Sequence, residues 1–171
     1  MKNYLTLTIL LFCSTLLTAQ NQDFKVKEGG YIFSEIGGYG LAPQLSLGYE
    51  CVKPLSENRF LSTKVGVNTG AWLVSYTIGV PHSVSMNFGK KNVFMETGLN
   101  GWLGYDSGDE DYEGGFCYTL GTNIGVNSIT PLTPEKNVML RAYINPSYTF
   151  GKQSLRGFFY LGWNRYKLSD T

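Results

Sequence analysis

Phe116-Cys117-Tyr118-Thr119-Leu120-Gly121-Thr122-Asn123-Ile124-Gly125-Val126-Asn127-Ser128 is the stretch on which the fold turns. Its even positions are Phe116, Tyr118, Leu120, Thr122, Ile124, Val126 and Ser128, and its odd positions are Cys117, Thr119, Gly121, Asn123, Gly125 and Asn127. A period of two assigns alternate side chains to opposite faces of an extended strand. One face is apolar and the other is small and polar, so this strand separates two different environments.

The same split recurs on both sides. In Val138–Phe150, Val138, Leu140, Ala142, Ile144, Pro146, Tyr148 and Phe150 oppose Met139, Arg141, Tyr143, Asn145, Ser147 and Thr149. In Val93–Tyr105, Val93, Met95, Leu99, Leu103 and Tyr105 oppose Phe94, Glu96, Gly98, Asn100, Trp102 and Gly104. Leu41–Val52, Leu61–Leu73 and Tyr76–Phe88 alternate alike, which makes six strands. Tyr31–Gly38 is shorter and mixed. Phe158–Leu168 carries aromatics on both parities, so its phase stays open. Counting these two gives eight strands, an even number, as bacterial single-chain membrane barrels have.

The composition of the polar face separates a membrane barrel from a soluble one. A soluble up-and-down barrel turns its apolar face inward and needs Lys and Glu outside. Here the polar face is mostly Gly, Ser, Thr and Asn, residues that suit the narrow lumen of eight strands, which side chains fill. The apolar face then meets lipid, with aromatics near strand ends as interface girdles. Charged residues are only 16% of the 171, aromatics are 15% and Gly is the commonest residue at 21; ordinary soluble domains are about a quarter charged. The expected fold is all-β: an antiparallel up-and-down membrane β-barrel of eight strands, closed so that every backbone group in lipid is paired.

The N-terminus supplies the location. Met1-Lys2-Asn3 is a short basic n-region, Tyr4–Leu17 an apolar h-region, and Thr18-Ala19-Gln20 a small-residue exit. That is the layout of a secretory signal peptide cut after Ala19, and the apolar run is shorter than the about 20 residues of a helical span. Lipidation at Cys13 is disfavoured by the bulky Phe12 before it. The expected organisation is a signal peptide over 1–19, a short periplasmic segment over 20–30 and the barrel over 31–168, in the outer membrane. Gly89-Lys90-Lys91-Asn92 reads as a tight periplasmic turn. Tyr105–Gly115 reads as the longest, external connection, with Lys53–Asn58, Thr130–Asn137 and both termini on the periplasmic side.

The hairpin from Val80 to Gly98 carries a resemblance. Val80-Pro81-His82-Ser83-Val84-Ser85-Met86-Asn87-Phe88 leads into Gly89-Lys90-Lys91, and the next strand carries Glu96-Thr97-Gly98. This resembles a pattern in small, largely uncharacterised, eight-stranded outer-membrane β-barrel proteins of Gram-negative bacteria, in which a Pro-led strand ends in Gly-Lys-Lys and the next has Glu-x-Gly. The resemblance covers one hairpin and the barrel pattern; it implies fold and location and brings no activity with it.

Candidate chemistry is sparse. Glu50, Lys64, Glu96 and Arg141 lie on the polar phase, joined on weaker strands by Glu35 and Arg165. Near balance of sign favours a network that fills and rigidifies the lumen over a proton or ion path, and eight strands leave no aqueous channel. Asp106, Asp109, Glu110, Asp111 and Glu113 crowd one connection. Oxygen ligands suit calcium, but the spacing matches no dedicated motif, so no metal site is assigned and this acidic loop is only a weak candidate. His82 points away from Ser83 and Ser85, without the nucleophile and orienting acid that acyl chemistry needs. Cys51 and Cys117 fall on opposite faces of their strands, which disfavours a disulfide, and no Cys/His spacing suggests zinc.

No cofactor is expected, and a net charge of +1 gives no case for nucleic acid. The expectation is a monomeric, non-enzymatic outer-membrane protein whose partner is the lipid around it; no protein partner can be named. The alternatives are an outer-membrane lipid-modifying enzyme and a soluble lipocalin-like carrier of an apolar ligand.

Overall fold

The computed structural model describes residues 26–39, 42–72, 75–109, 112–133, 136–150 and 154–167; the signal-peptide reading lies outside them. The strands are β1 (Gly29–Tyr39), β2 (Ala42–Ser56), β3 (Arg59–Trp72), β4 (Ser75–Lys90), β5 (Val93–Asp109), β6 (Tyr112–Thr133), β7 (Lys136–Phe150) and β8 (Ser154–Lys167). Each pairs antiparallel with the next, and β1 closes on β8 from Ile32↔Arg165 to Gly38↔Phe159. The fold is an eight-stranded antiparallel up-and-down barrel without a sheet edge left over along its closed height.

Alternation places the faces as the period-two pattern requires, with the apolar set outside. Val67 is 63% exposed, Leu99 62% and Phe116 84%, whereas Glu96, Asn123 and Arg141 are each 1% exposed. Large side chains left in water forgo about 1.5–3 kcal/mol apiece, and a contiguous apolar wall of this kind is not tolerated on a soluble monomer. The wall is the lipid-facing surface of a transmembrane barrel. The soluble-carrier alternative needs the opposite arrangement. No described helix is long and apolar enough to span, which has no bearing on strands.

Two features depart from expectation. The described residues of the supposed long connection Tyr105–Gly115 are strand: β5 and β6 continue as a ribbon through Gly108↔Glu113 to Asp109↔Tyr112. Thr130–Asn137 is likewise mostly strand, with a register shift between Pro131 and Thr133. Main-chain pairing in a two-stranded ribbon does not need the hydrophobic alternation by which strands are recognised in a sequence. The phase of β8 is settled by its neighbours: Gly162 is buried opposite Glu35, and Leu161 faces out.

The lumen is layered. At the end carrying the β2–β3, β4–β5 and β6–β7 turns, Tyr31, Val52, Phe60, Phe94, Ile129 and Met139 form an apolar plug, with Val26 packed against it. The Phe60 and Phe94 rings meet edge to face at 5.0 Å, a favoured aromatic geometry. The turns are tied down as well: Gly89 N donates to Asn58 O (2.9 Å) and Ile129 N to Asn92 O (2.8 Å). Where strands approach most closely, the lumen face is glycine. A Cβ on Gly66 would stand 2.5 Å from Leu47 O and 3.1 Å from the Cα of Gly48 across the ladder.

Candidate functional site in the barrel lumen

Above the plug, five strands each contribute one charged side chain: Glu35 from β1, Glu50 from β2, Lys64 from β3, Glu96 from β5 and Arg141 from β7. The register sets Glu50 beside Lys64, yet each turns to another partner. Lys64 Nζ donates to Glu35 Oε1 at 2.6 Å. Arg141 crosses the lumen to Glu50, with Nη2 2.8 Å from Oε1 and Nη1 3.4 Å from Oε2. Its Nε lies 2.9 Å from Glu96 Oε2, and Nη1 is 3.7 Å from Glu35 Oε1. One guanidinium thus serves three carboxylates, using the fixed fork of donors that lysine lacks.

Neutral groups complete the network. Three carboxylates face two cations among the described residues, and donors from amides and a phenol take up the remainder. Tyr143 OH donates to Glu35 Oε2 (2.8 Å). Asn123 Nδ2 donates to Glu96 Oε1 (3.0 Å) and to Ser85 Oγ (2.6 Å). Asn127 Nδ2 donates to Glu96 Oε2 (2.9 Å) and to Asn87 Oδ1, while its Oδ1 accepts from Arg141 Nε (3.1 Å). Lys64 Nζ also sits 5.4 Å and 4.9 Å from the centroids of Phe33 and Tyr143, within cation–π range. Burying ions costs several kcal/mol each, recovered only when every lone pair and proton is matched; here the matching is close to complete.

Toward the other end, neutral polar side chains pair across the lumen. Asn68 Nδ2 donates to Ser46 Oγ (2.8 Å), and Trp102 Nε1 to Asn68 Oδ1 (3.2 Å). Tyr160 OH donates to Gln44 Oε1 (2.9 Å), and its ring stacks on Tyr143 at 5.2 Å. The arrangement fixes cross-lumen geometry. A conducting path would have to pass both the ion network and the apolar plug.

The structure therefore brings Glu50, Lys64, Glu96 and Arg141 into one cluster and adds Glu35 to it. Arg165 pairs with Ile32, on the other phase from Glu35, so it does not belong to the lumen set. Of the acidic group, Glu110 and Asp111 lie outside the described residues, as does the side chain of Asp109. Asp106 Oδ1 accepts from Gly108 N (3.0 Å), and Glu113 is exposed. Among the described residues no group of three or more His, Cys, Asp or Glu is placed to hold a metal ion. Cys51 is exposed and Cys117 half-buried, and the two are not joined in a disulfide.

His82 stands on the lipid-facing phase. Its Nδ1 is 3.2 Å from Val80 O and its Nε2 3.2 Å from Tyr118 OH, with the rings stacked at 5.8 Å. Taken as the Nδ1–H tautomer, it donates to the carbonyl and accepts from the phenol, so the pair satisfies itself within the wall. Gly101 lies beneath it: a Cβ there would meet His82 Nε2 at 2.3 Å and Tyr118 OH at 2.6 Å.

Sequence reasoning missed the amide scaffold and the plug. Asn87, Asn123 and Asn127 are on the inward phase and legible as such, but only the cross-strand register shows that they converge on Glu96 and Arg141. The chain matches no protein-family model and no curated protein. Among solved structures it is similar to a chain from work described as "De novo design of transmembrane beta-barrels", with 12% identity and a TM-score of 0.45, covering 84% of this chain and 100% of that one. No role passes from it.

Proposed function

We propose that this chain is an integral β-barrel of a Gram-negative outer membrane, exported behind a cleaved signal peptide, and that it serves membrane integrity or surface interaction without catalysing a reaction. The inversion of burial carries this reading: an apolar wall outside, and inside a filled lumen whose charges are spent on one another. Such a body offers its surroundings its wall, its rims and its hairpin ends. The lipid-modifying alternative draws nothing from His82, whose ring partners are a backbone carbonyl and a phenol rather than a nucleophile and an acid.

Expression of the full chain, isolation of outer membranes, and electrophoresis with and without boiling test the proposal. A closed barrel resists detergent until heated, so a band in the outer-membrane fraction whose mobility shifts on boiling is expected. A soluble, unshifted protein overturns the membrane reading.

A further inference from the structure

The lipid-facing surface at the plugged end carries three cations on neighbouring strands. Lys53 of β2, Arg59 of β3 and Lys90 of β4 are all exposed and all on the outward phase, with Leu61, Leu47 and Phe88. The register places them side by side, across a shift in β2 between Pro54 and Ser56. Lys53 pairs with Leu61, two residues from Arg59; Arg59 pairs with Phe88, two residues from Lys90. Each step is a cross-strand diagonal, about 7–8 Å, so the three long side chains can converge on one small anion. The guanidinium of Arg59 is held 5.9 Å over the Phe88 ring, and the Gly89 N to Asn58 O bond ties the β2–β3 turn to the end of β4. Directly above rise Leu61, Val65, Met86 and Val84, an apolar track along which acyl chains can lie. The acids described at this end are Glu28 and Glu57.

We propose that Lys53, Arg59 and Lys90 form a binding site for the headgroup of an anionic phospholipid, whose chains run up the β3–β4 wall. The site rests on the membrane reading above and deepens it: it names the lipid class that the wall prefers and the rim at which it is held. A phosphodiester placed among three cations is favoured over a zwitterionic headgroup, whose own ammonium repels them, and proximity to Lys or Arg strengthens anionic-lipid binding severalfold per cation.

The full chain is folded into vesicles of phosphatidylcholine, and trace spin-labelled phosphatidylglycerol or phosphatidylcholine reports the motionally restricted fraction at the protein boundary. Wild-type protein is expected to prefer phosphatidylglycerol by about fivefold or more. K53Q/R59Q/K90Q should bring the ratio close to one, and R156Q, at the other end of β8, should leave it unchanged. R59Q alone should lower the ratio part of the way, which keeps the test decisive if the triple variant does not fold. Equal uptake of both labels by wild type overturns the site, as does a preference that survives the triple change or falls equally with R156Q. Failure of the membrane reading is seen separately, as absence of a heat-shifted band in pure phosphatidylcholine vesicles before any labelled lipid is added.

Discussion

Replacing Arg141 with methionine should be among the most damaging single changes in the barrel. The guanidinium is 1% exposed and reaches Glu50 at 2.8 Å, Glu96 at 2.9 Å and Glu35 at 3.7 Å. Methionine roughly preserves volume but leaves three buried carboxylates beside one lysine, and removing one partner of a buried ion pair costs about 3–5 kcal/mol. A domain of this size holds about 5–15 kcal/mol in all, so a large part of its stability goes. The companion change Glu50→Gln removes the carboxylate that depends most on Arg141. R141M/E50Q should therefore be less destabilised than the two single changes added together, by about 2 kcal/mol. Urea titration in phosphatidylcholine vesicles, with the folded fraction read from unboiled gel mobility, measures all four proteins. If R141M costs less than about 1 kcal/mol, or if the two changes add within about 0.5 kcal/mol, the lumen network is not what holds these strands in place.

Leu99→Lys, on the lipid-facing wall, should cost about 2–4 kcal/mol in vesicles, whereas the same change on a water-facing strand stays within about 0.5 kcal/mol; the vesicle titration distinguishes them. Gly66→Val should abolish the heat-shifted band, because its Cβ would stand 2.5 Å from Leu47 O and backbone cannot give way there; a normally folded variant refutes the close approach of β2 and β3. Phe94→Ala removes a fully buried ring from the plug and should cost about 3–5 kcal/mol by the same assay. Wild-type protein in a planar bilayer should pass no ion current, and discrete openings would show that the plug and network do not seal the lumen.

Six of the eight strand faces were legible because lipid and lumen impose opposite demands on alternate residues, and Ile124 beside Asn123 states both at once. The same demand weakens where the chain leaves the closed part of the barrel. Ser107–Asp109 and Tyr112–Gly115 pair mainly with each other, and nothing in their polarity distinguishes a ribbon from a loop. In β8, aromatics stand on both parities, and its phase follows from Gly162 lying opposite Glu35, a cross-strand relation that no single strand contains. Phe94 and Met139 stood on the polar phase of their strands, but the plug they form with Phe60 and Val52 was missed. Their shared position, at the starts of odd strands and the end of β2, is the signal of a plug, and it emerges only when the strands are aligned by their turns. The lumen charges could be placed on the inward face, but not paired. Glu50 and Lys64 are register neighbours that nonetheless bind Arg141 and Glu35.

That exchange of partners bears on what the barrel is for. Had Glu50 and Lys64 paired locally, the charges would have stabilised one hairpin and left the lumen divided. Instead Arg141 links β7 to β1, β2 and β5, and Lys64 links β3 to β1, so the ion pairs run across the lumen and brace strands that share no backbone hydrogen bonds. Reciprocal bracing of this kind resists flattening of the barrel section under lateral pressure, and it stands between the polar end of the lumen and the plugged end. With the interior charges paired to one another, the barrel presents to its surroundings the apolar wall, the acidic ribbon of β5 and β6, and the basic rim of β2 to β4.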